Sequence, residues 1–212
     1  VPKTIALPNH SYIEGVIDES LRNLEYPLDW DGFLAYTGLP AIMKPALGGG
    51  WKDVFKIDSR DELLWRYNQT GTRLFILQEY IHWQGYVRCL VVGRQDVLIT
   101  NWDPRRDHFD RYRADDPGVE PDLEATCRDY ALRLNRALGY DMNTVEFAVR
   151  DGVPIAIDFT NSAPDFDISS LKETYFAWVV EKMADLVIDR AKNGPPPGPY
   201  RWDDVLRASA GA

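Results

Sequence analysis

Thiols are scarce in this sequence: Cys89 and Cys127 are the only two. That excludes a small disulfide-built domain. Cys89 falls in an apolar strand pattern and Cys127 in a helical one, so two buried thiols in a reducing cytoplasm are expected. Histidine is nearly as rare. His10, His82 and His108 are scattered, so no histidine metal site is expected. No apolar run approaches the ~20 residues of a membrane span, and Val1 opens no signal-peptide pattern. Internal repeats are lacking. Positive charge is also short, with 24 Lys and Arg against 33 Asp and Glu, a net charge of −9. A broad nucleic-acid or anionic-membrane footprint needs a basic surface, so both are excluded as partners. A nucleotide is not, because a few local cations and a metal can hold one.

What is present suits a globular protein. Hydrophobic residues make up 45% and charged residues 27%, enough for a core and too few charges for disorder. Val1-Pro2-Lys3-Thr4 reads like the middle of a protein, and an excised fragment is expected. Strands are predicted at Thr4 to Leu7, Ala41 to Lys44, Val54 to Ile57, Arg73 to Ile81, Val87 to Val92 and Asp96 to Asn101. Thr144 to Val149 and Pro154 to Phe159 should form a hairpin through Asp151-Gly152. Helical spacing marks Tyr12 to Leu24, with Ile13, Val16, Ile17, Leu21 and Leu24 on one face. A second helix should start at Ser59, with Glu62 completing a capping box, and run to about Gln69. A third covers Pro121 to Leu138 and stops at Gly139. A long amphipathic helix covers Leu171 to Ala191. Tyr26 to Leu39 and Arg105 to Gly118 read as irregular. Asn193 to Pro199 is a Pro/Gly-rich tail, with a short helical stretch after it at Trp202 to Ala208. Trp65 and Trp178 fall at apolar helix positions and are expected in the core. Hairpin-joined strands alternating with helices predict an antiparallel α+β fold.

Two sets of residues could carry chemistry. Gly48, Gly49 and Gly50 lie between two strands, so they form neither a P-loop nor a dinucleotide fingerprint, both of which need a helix there. They fit an ordinary hairpin turn, or a loop whose backbone N–H groups approach phosphate. Lys44 before the loop and Lys52 after it would neutralise a polyphosphate. The second set is acidic. Glu146 is mid-strand and Asp158 lies at the end of the partner strand, with Asn161 three residues on. Two carboxylates and an amide oxygen are hard ligands suited to Mg²⁺. Solvated strand ends are the bland alternative, and glycosidase acid/base work finds no sugar-binding pattern to support it.

In order along the chain, these features resemble the ATP-grasp superfamily, and in particular ribosomal-protein glutamate ligases and glutathione synthetase. Pro40-Ala41-Ile42-Met43-Lys44-Pro45 is similar to the strand carrying a phosphate-contacting lysine. Gly48-Gly49-Gly50-Trp51-Lys52 is similar to the flexible loop over the phosphates. Leu77-Gln78-Glu79-Tyr80-Ile81 resembles the hinge whose backbone reads adenine. Tyr86-Val87-Arg88-Cys89-Leu90-Val91-Val92-Gly93 matches the strand that follows. Thr144-Val145-Glu146-Phe147 and Ile157-Asp158-Phe159-Thr160-Asn161 resemble the metal-ligand strands. The resemblance runs from Val1 to about Ala191. It departs from the family in two places. Gln84-Gly85-Tyr86 stands where an acid often holds the ribose. The usual Glu-x-Asn pair is replaced by the longer Asp158-Phe159-Thr160-Asn161, so either Asn161 reaches in from a bulge or Thr160 takes part. A second phosphate lysine and an N-terminal domain are expected upstream of Val1.

The resemblance implies two α+β subdomains with mainly antiparallel sheets, residues 1–80 and 81–192, clasping MgATP, with a tail at 193–212. It implies ATP and Mg²⁺ as cofactors, with Mn²⁺ as a substitute metal. Gln78, Glu79, Tyr80 and Ile81 would line adenine. Lys44 would contact phosphate, and Arg88 the acyl phosphate or the substrate carboxylate. Arg105-Arg106 is a further candidate for that role, or a solvated loop. Glu146, Asp158 and Asn161 would hold the metal. The reaction would join a small-molecule carboxylate to an amine through an acyl phosphate, in the cytoplasm. The rival expectation is a non-catalytic nucleotide-binding or scaffold module of the same fold. Trp51 and Trp83, beside the flap and the hinge, are candidates for nucleotide or substrate contact, and His82 is expected to be structural.

Overall fold

A computed structural model describes residues 1–112 and 117–194. Contacts divide the chain into two compact units, Val1–His82 and one that begins at Trp83. The expected helix at Trp202 to Ala208, and most of the predicted tail, lie outside the described residues. Among the described residues no helix is long and apolar enough to cross a membrane.

The first unit is a four-stranded antiparallel sheet. It contains β1 (Thr4–Leu7), β2 (Ala41–Pro45), β3 (Phe55–Ile57) and β4 (Phe75–Glu79), in the order β1-β4-β2-β3. Strand alternation sets its two faces. Leu7, Ala41, Met43, Ile57, Phe75 and Leu77 point to one side. They form the core with Leu63 and Tyr67 of α2 (Arg60–Tyr67), and Trp30, Phe33 and Leu34 of α1 (Trp30–Thr37) pack against it. The register pairs Lys44 with Ile76 and Ile42 with Gln78, so these four side chains share the opposite face.

Three expectations fail in this unit. Tyr12 to Leu24 is not a helix: bends and turns lead to one short 3₁₀ segment, Asp18–Leu21. Gly15 adopts a positive φ of 92°, and Ile13, Val16 and Ile17 are exposed. The apolar spacing had no surface to bury against, and periodicity without a partner does not hold a helix. Conversely, Trp30–Thr37 is helical within the stretch expected to be irregular. Asp29 caps it by accepting from the Gly32 N–H at 2.8 Å. A Cβ on Gly32 would lie 2.2 Å from the Asp29 carboxylate, so glycine at this position permits the cap. Trp65 is 56% exposed, not core. Leu63 and Tyr67 form the inner face of α2, and Trp65, two residues from each, lies on the outer one.

The Ser59 cap is as expected: its hydroxyl accepts from the Glu62 N–H at 3.2 Å. Glu62 reaches back to the Asp58 N–H, one residue before the usual position.

The second unit is a four-stranded antiparallel sheet in the order β6-β5-β7-β8. Its strands are β5 (Gly85–Val92), β6 (Asp96–Asn101), β7 (Met142–Arg150) and β8 (Val153–Asn161). Helix α3 (Pro121–Leu138) covers one face, starting on a proline and ending at left-handed Gly139 as expected. Val87, Cys89, Val91, Val145, Phe147 and Ala156 meet Cys127 and Ala131 there. Both cysteines are buried and free, as the patterns required. Helix α4 (Ile168–Asn193) follows, interrupted at Lys172, whose φ is 59°. Arg190 ties it to Asp141 at 3.3 Å, and Trp178 is half-buried. With the odd residues of β5 facing α3, Tyr86 and Arg88 face the other way.

Candidate functional site

One rung of the second sheet crosses all four strands. Thr100 of β6 stands opposite Arg88 of β5, Arg88 opposite Glu146 of β7, and Glu146 opposite Asp158 of β8. The carboxylate pair predicted through the Asp151-Gly152 hairpin is thus a direct cross-strand pair. Arg88 and Glu146 each have side chains only 12% exposed and form an ion pair at 3.3 Å. The Tyr86 hydroxyl donates to the other Glu146 oxygen at 2.9 Å. Burial, the Glu146 carboxylate and the charge of Asp158 push the Tyr86 phenol well above its ordinary pKa. Asp158 is exposed at the end of the row.

The register explains the odd Asp158-to-Asn161 spacing. Phe147 pairs with Ala156, Glu146 with Asp158 and Thr144 with Asn161, so β8 gains one residue at each step. These bulges carry Asn161 to the rung beside Glu146. There its amide nitrogen donates to the Thr144 hydroxyl at 3.1 Å, leaving the amide oxygen as an acceptor. Of the two readings of this spacing, the arrangement favours Asn161 reaching in from a bulge. The bulge is stitched from behind. The side-chain oxygen of Asn143 accepts from the Asn161 N–H at 3.0 Å, and its nitrogen donates to the Phe159 carbonyl at 2.9 Å. The same nitrogen donates to Asn135 of α3 at 2.8 Å, and both asparagines are fully buried. Sequence reasoning missed Asn143 and Asn135. Two amides inside apolar strand and helix patterns were the available signal, since buried amides need partners.

Glu146, Asp158 and Asn161 together offer hard oxygen atoms on one sheet face, a donor set that fits Mg²⁺. Among the described residues no group of three or more His, Cys, Asp and Glu could hold a metal, so the amide is needed to complete the set.

In the first unit, Lys44 lies on the face opposite the core, with Gln78 and with Lys56 of β3. Gln78 is buried and donates to the Thr4 hydroxyl at 3.0 Å. Glu79 closes the strand: its N–H donates to the Lys3 carbonyl and its carboxylate accepts from the Lys3 N–H. Tyr80 lies 5.6 Å from the Lys56 ammonium and stacks edge-on with His82. Ile81 is buried. Among the described residues, the backbone groups of Tyr80, Ile81 and His82 make no hydrogen bond to other backbone.

The loop between β2 and β3 is exposed from Ala46 to Lys52. Gly50 has a φ of 66°, but Gly48 and Gly49 do not have a positive φ. A Cβ on Gly49 would meet nothing within 4 Å, and one on Gly48 only an ordinary contact with Pro45. The fold therefore demands glycine at Gly50 and not at its two neighbours. Lys52 donates its N–H to the Gly49 carbonyl, and an Asp53–Arg73 ion pair at 2.6 Å secures the base.

The Arg105-Arg106 pair is engaged within its own loop. Arg105 grips Asp103 through two contacts of 2.9 Å and lies over the Trp83 ring at 4.7 Å. Its hydrogen bond holds the Asp103 carboxyl below the usual range. Trp51 is exposed, and Trp83 is half-buried and meets Tyr86 edge-on.

No protein-family model matches the sequence, and no curated protein matches it. Solved structures do. A D-alanine–D-alanine ligase from Bacillus anthracis superposes with a TM-score of 0.62 at 20% identity, over 89% of this chain and 60% of that one. The D-alanine–D-alanine ligase from Coxiella burnetii gives 0.61 at 13%, over 98% and 55%. The ATP-grasp ligase PsnB, complexed with minimal precursor, Mg and ADP, gives 0.53 at 17%, over 88% and 53%. This chain spans between half and two thirds of the length of these structures. The two antiparallel α+β units, and the likeness across most of the chain, identify the fold as ATP-grasp.

Proposed function

We propose that this chain is the ATP-binding part of a carboxylate–amine ligase. The observation that carries the reading is the Glu146–Asp158 rung with Asn161 brought onto it by the β8 bulges. Arg88 neutralises Glu146, but the like-charged Asp158 opposite it on the edge strand β8 is destabilising unless a further cation joins the two acids. Glu146, Asp158 and Asn161 would hold Mg²⁺, which supplies positive charge to the triphosphate. Mn²⁺ would fit the same oxygen donors.

Lys44, on the open face of the first sheet, contributes a second positive charge to phosphate. Gly48, Gly49 and Gly50 form a loop whose amides can approach phosphate oxygens, and Lys52 adds charge at its end. Glycine at two positions where the fold does not demand it supports this role. The run Gln78 to Ile81 would line adenine, with Tyr80 and Ile81, past the end of β4, offering the backbone groups. Tyr86 orients Glu146, and Thr144 orients the Asn161 amide.

The reaction has two displacements. A substrate carboxylate oxygen attacks the γ-phosphorus, the bond to the β-phosphate breaks, and its electron pair leaves on ADP. An amine nitrogen then attacks the acyl carbon of the acyl phosphate, loses a proton, and expels inorganic phosphate as the amide forms. The protein's task is alignment and charge neutralisation. Arg88 would face the negative charge on the acyl phosphate, and closure of the glycine loop would exclude water from it.

Single-turnover ADP release by the full-length enzyme tests the reading. With substrates present, ADP should form in one burst, and Asp158→Ala should slow it about 10²–10³-fold. ATP binding without any turnover would instead indicate a scaffold module.

A further inference from the structure

Three buried side-chain donors among the described residues lack a hydrogen-bond partner and belong to one cluster. They are Arg88 Nε, Trp102 Nε1 and the Tyr112 hydroxyl. Trp102 and Tyr112 pair across an isolated β-bridge, so their side chains lie side by side. The Arg88 guanidinium lies 5.1 Å from the Trp102 ring and 5.6 Å from the Tyr112 ring. A second cation, Arg111, lies 5.4 Å from Trp102. Trp102 is 3% and Tyr112 5% exposed. Tyr86 and Tyr175 complete an aromatic wall, at 5.3 Å from Trp102 and 6.0 Å from Tyr112.

All three unpartnered groups can donate a hydrogen bond. A buried donor without an acceptor is costly, and three in one cluster need an explanation. Three donors, one of them on Arg88, with Arg111 as a second cation beside Trp102, call for an oxyanion. The aromatic wall disfavours a strongly hydrated body behind it. We propose that Trp102 Nε1–H and the Tyr112 hydroxyl, with Arg88, form the subsite that binds the carboxylate group of an apolar-bodied acid. This rests on the ligase reading, whose first substrate is a carboxylate. It goes beyond that reading by assigning recognition to a neutral indole and phenol, and by placing the acid next to the Glu146 row. The assigned residues also predict selectivity: an acid with an uncharged body binds, and inorganic phosphate, more strongly hydrated and tetrahedral, does not.

The test is a titration of the ¹⁵N-labelled chain, followed through its tryptophan indole N–H resonances. Trp102→Phe removes one resonance and so assigns it. Sodium acetate should move that resonance saturably, and sodium chloride or inorganic phosphate at equal ionic strength should not. Tyr112→Phe, which keeps the ring and the fold, should weaken acetate binding about tenfold or more while the Trp102 resonance remains. No saturable movement with acetate, movement with phosphate alone, or unchanged affinity in Tyr112→Phe would overturn the proposal. In the same sample, MgATP is titrated against the Gly48 to Gly50 backbone amides. Acetate failing while MgATP binds sinks the subsite alone. Acetate binding while MgATP does not leaves the subsite standing and removes the ligase reading.

Discussion

Glu146 and Asp158 face each other on one rung, yet mutation should separate them. Glu146 is half of a buried ion pair with Arg88. Truncating it to alanine leaves the guanidinium buried and uncompensated, which costs about 3–5 kcal/mol of stability. Asp158 is exposed, so Asp158→Ala should change unfolding free energy by less than about 0.5 kcal/mol. Urea unfolding of both variants checks the contrast. Equal losses would mean that Asp158 is structural. Tyr86 adds a pH signature. Its phenol pKa is raised in the folded state by burial first and then by Glu146. A raised folded value means that its contribution is complete below the unfolded value of about 10 and is lost as pH rises beyond it. Thermal stability should therefore fall on the alkaline side, and Tyr86→Phe should flatten that limb. A limb of unchanged steepness in Tyr86→Phe would rule out this origin.

At the level of elements, the loop and the bulge make opposite demands on their residues. Gly50→Ala should cost about 1 kcal/mol or more, because its positive φ strains an L side chain. Gly49→Ala should leave stability intact, since nothing crowds its Cβ, yet weaken nucleotide binding if its N–H approaches phosphate. Nucleotide affinity equal to the parent in Gly49→Ala would make the loop an ordinary turn. For the bulge, Asn143→Ala strips partners from the Phe159 carbonyl, the Asn161 N–H and Asn135. About 3 kcal/mol of stability should go with them. Elements of this kind divide into those the sequence announces and those it does not. The Asp151-Gly152 hairpin, the Pro121 start and Gly139 stop of α3, and the Ser59 cap carry local chemistry that acts wherever the chain lies. The Tyr12 to Leu24 segment carried only periodicity, and periodicity needs a surface that no local signal reveals. Helix α1 was hidden by Gly32, whose purpose depends on where the Asp29 side chain folds back. That Glu146 lies near Asp158 was legible from the two-residue turn, but the turn's register alone would set Ile157 opposite Glu146, and a bulge after Ala156 brings Asp158 there. The turn of Asn161 onto the same face was not legible, because the second bulge along β8 is held by Asn143 behind it.

The whole chain divides its chemistry by unit. Lys44, the glycine loop and the Gln78 to Ile81 run belong to the first unit, and Arg88, Glu146, Asp158 and Asn161 to the second. Bare carboxylates repel a triphosphate, whereas a Mg²⁺ held by them would attract it. The central claim is therefore that nucleotide affinity depends on the metal through the second unit's acids. Calorimetric titration of the chain with ATP, with and without Mg²⁺, tests it most directly when repeated on Asp158→Ala. ATP should bind the parent chain more tightly with Mg²⁺ than without, and Asp158→Ala should lose that gain while remaining folded. Equal affinity with and without Mg²⁺ in the parent, or an undiminished gain in Asp158→Ala, would contradict the account.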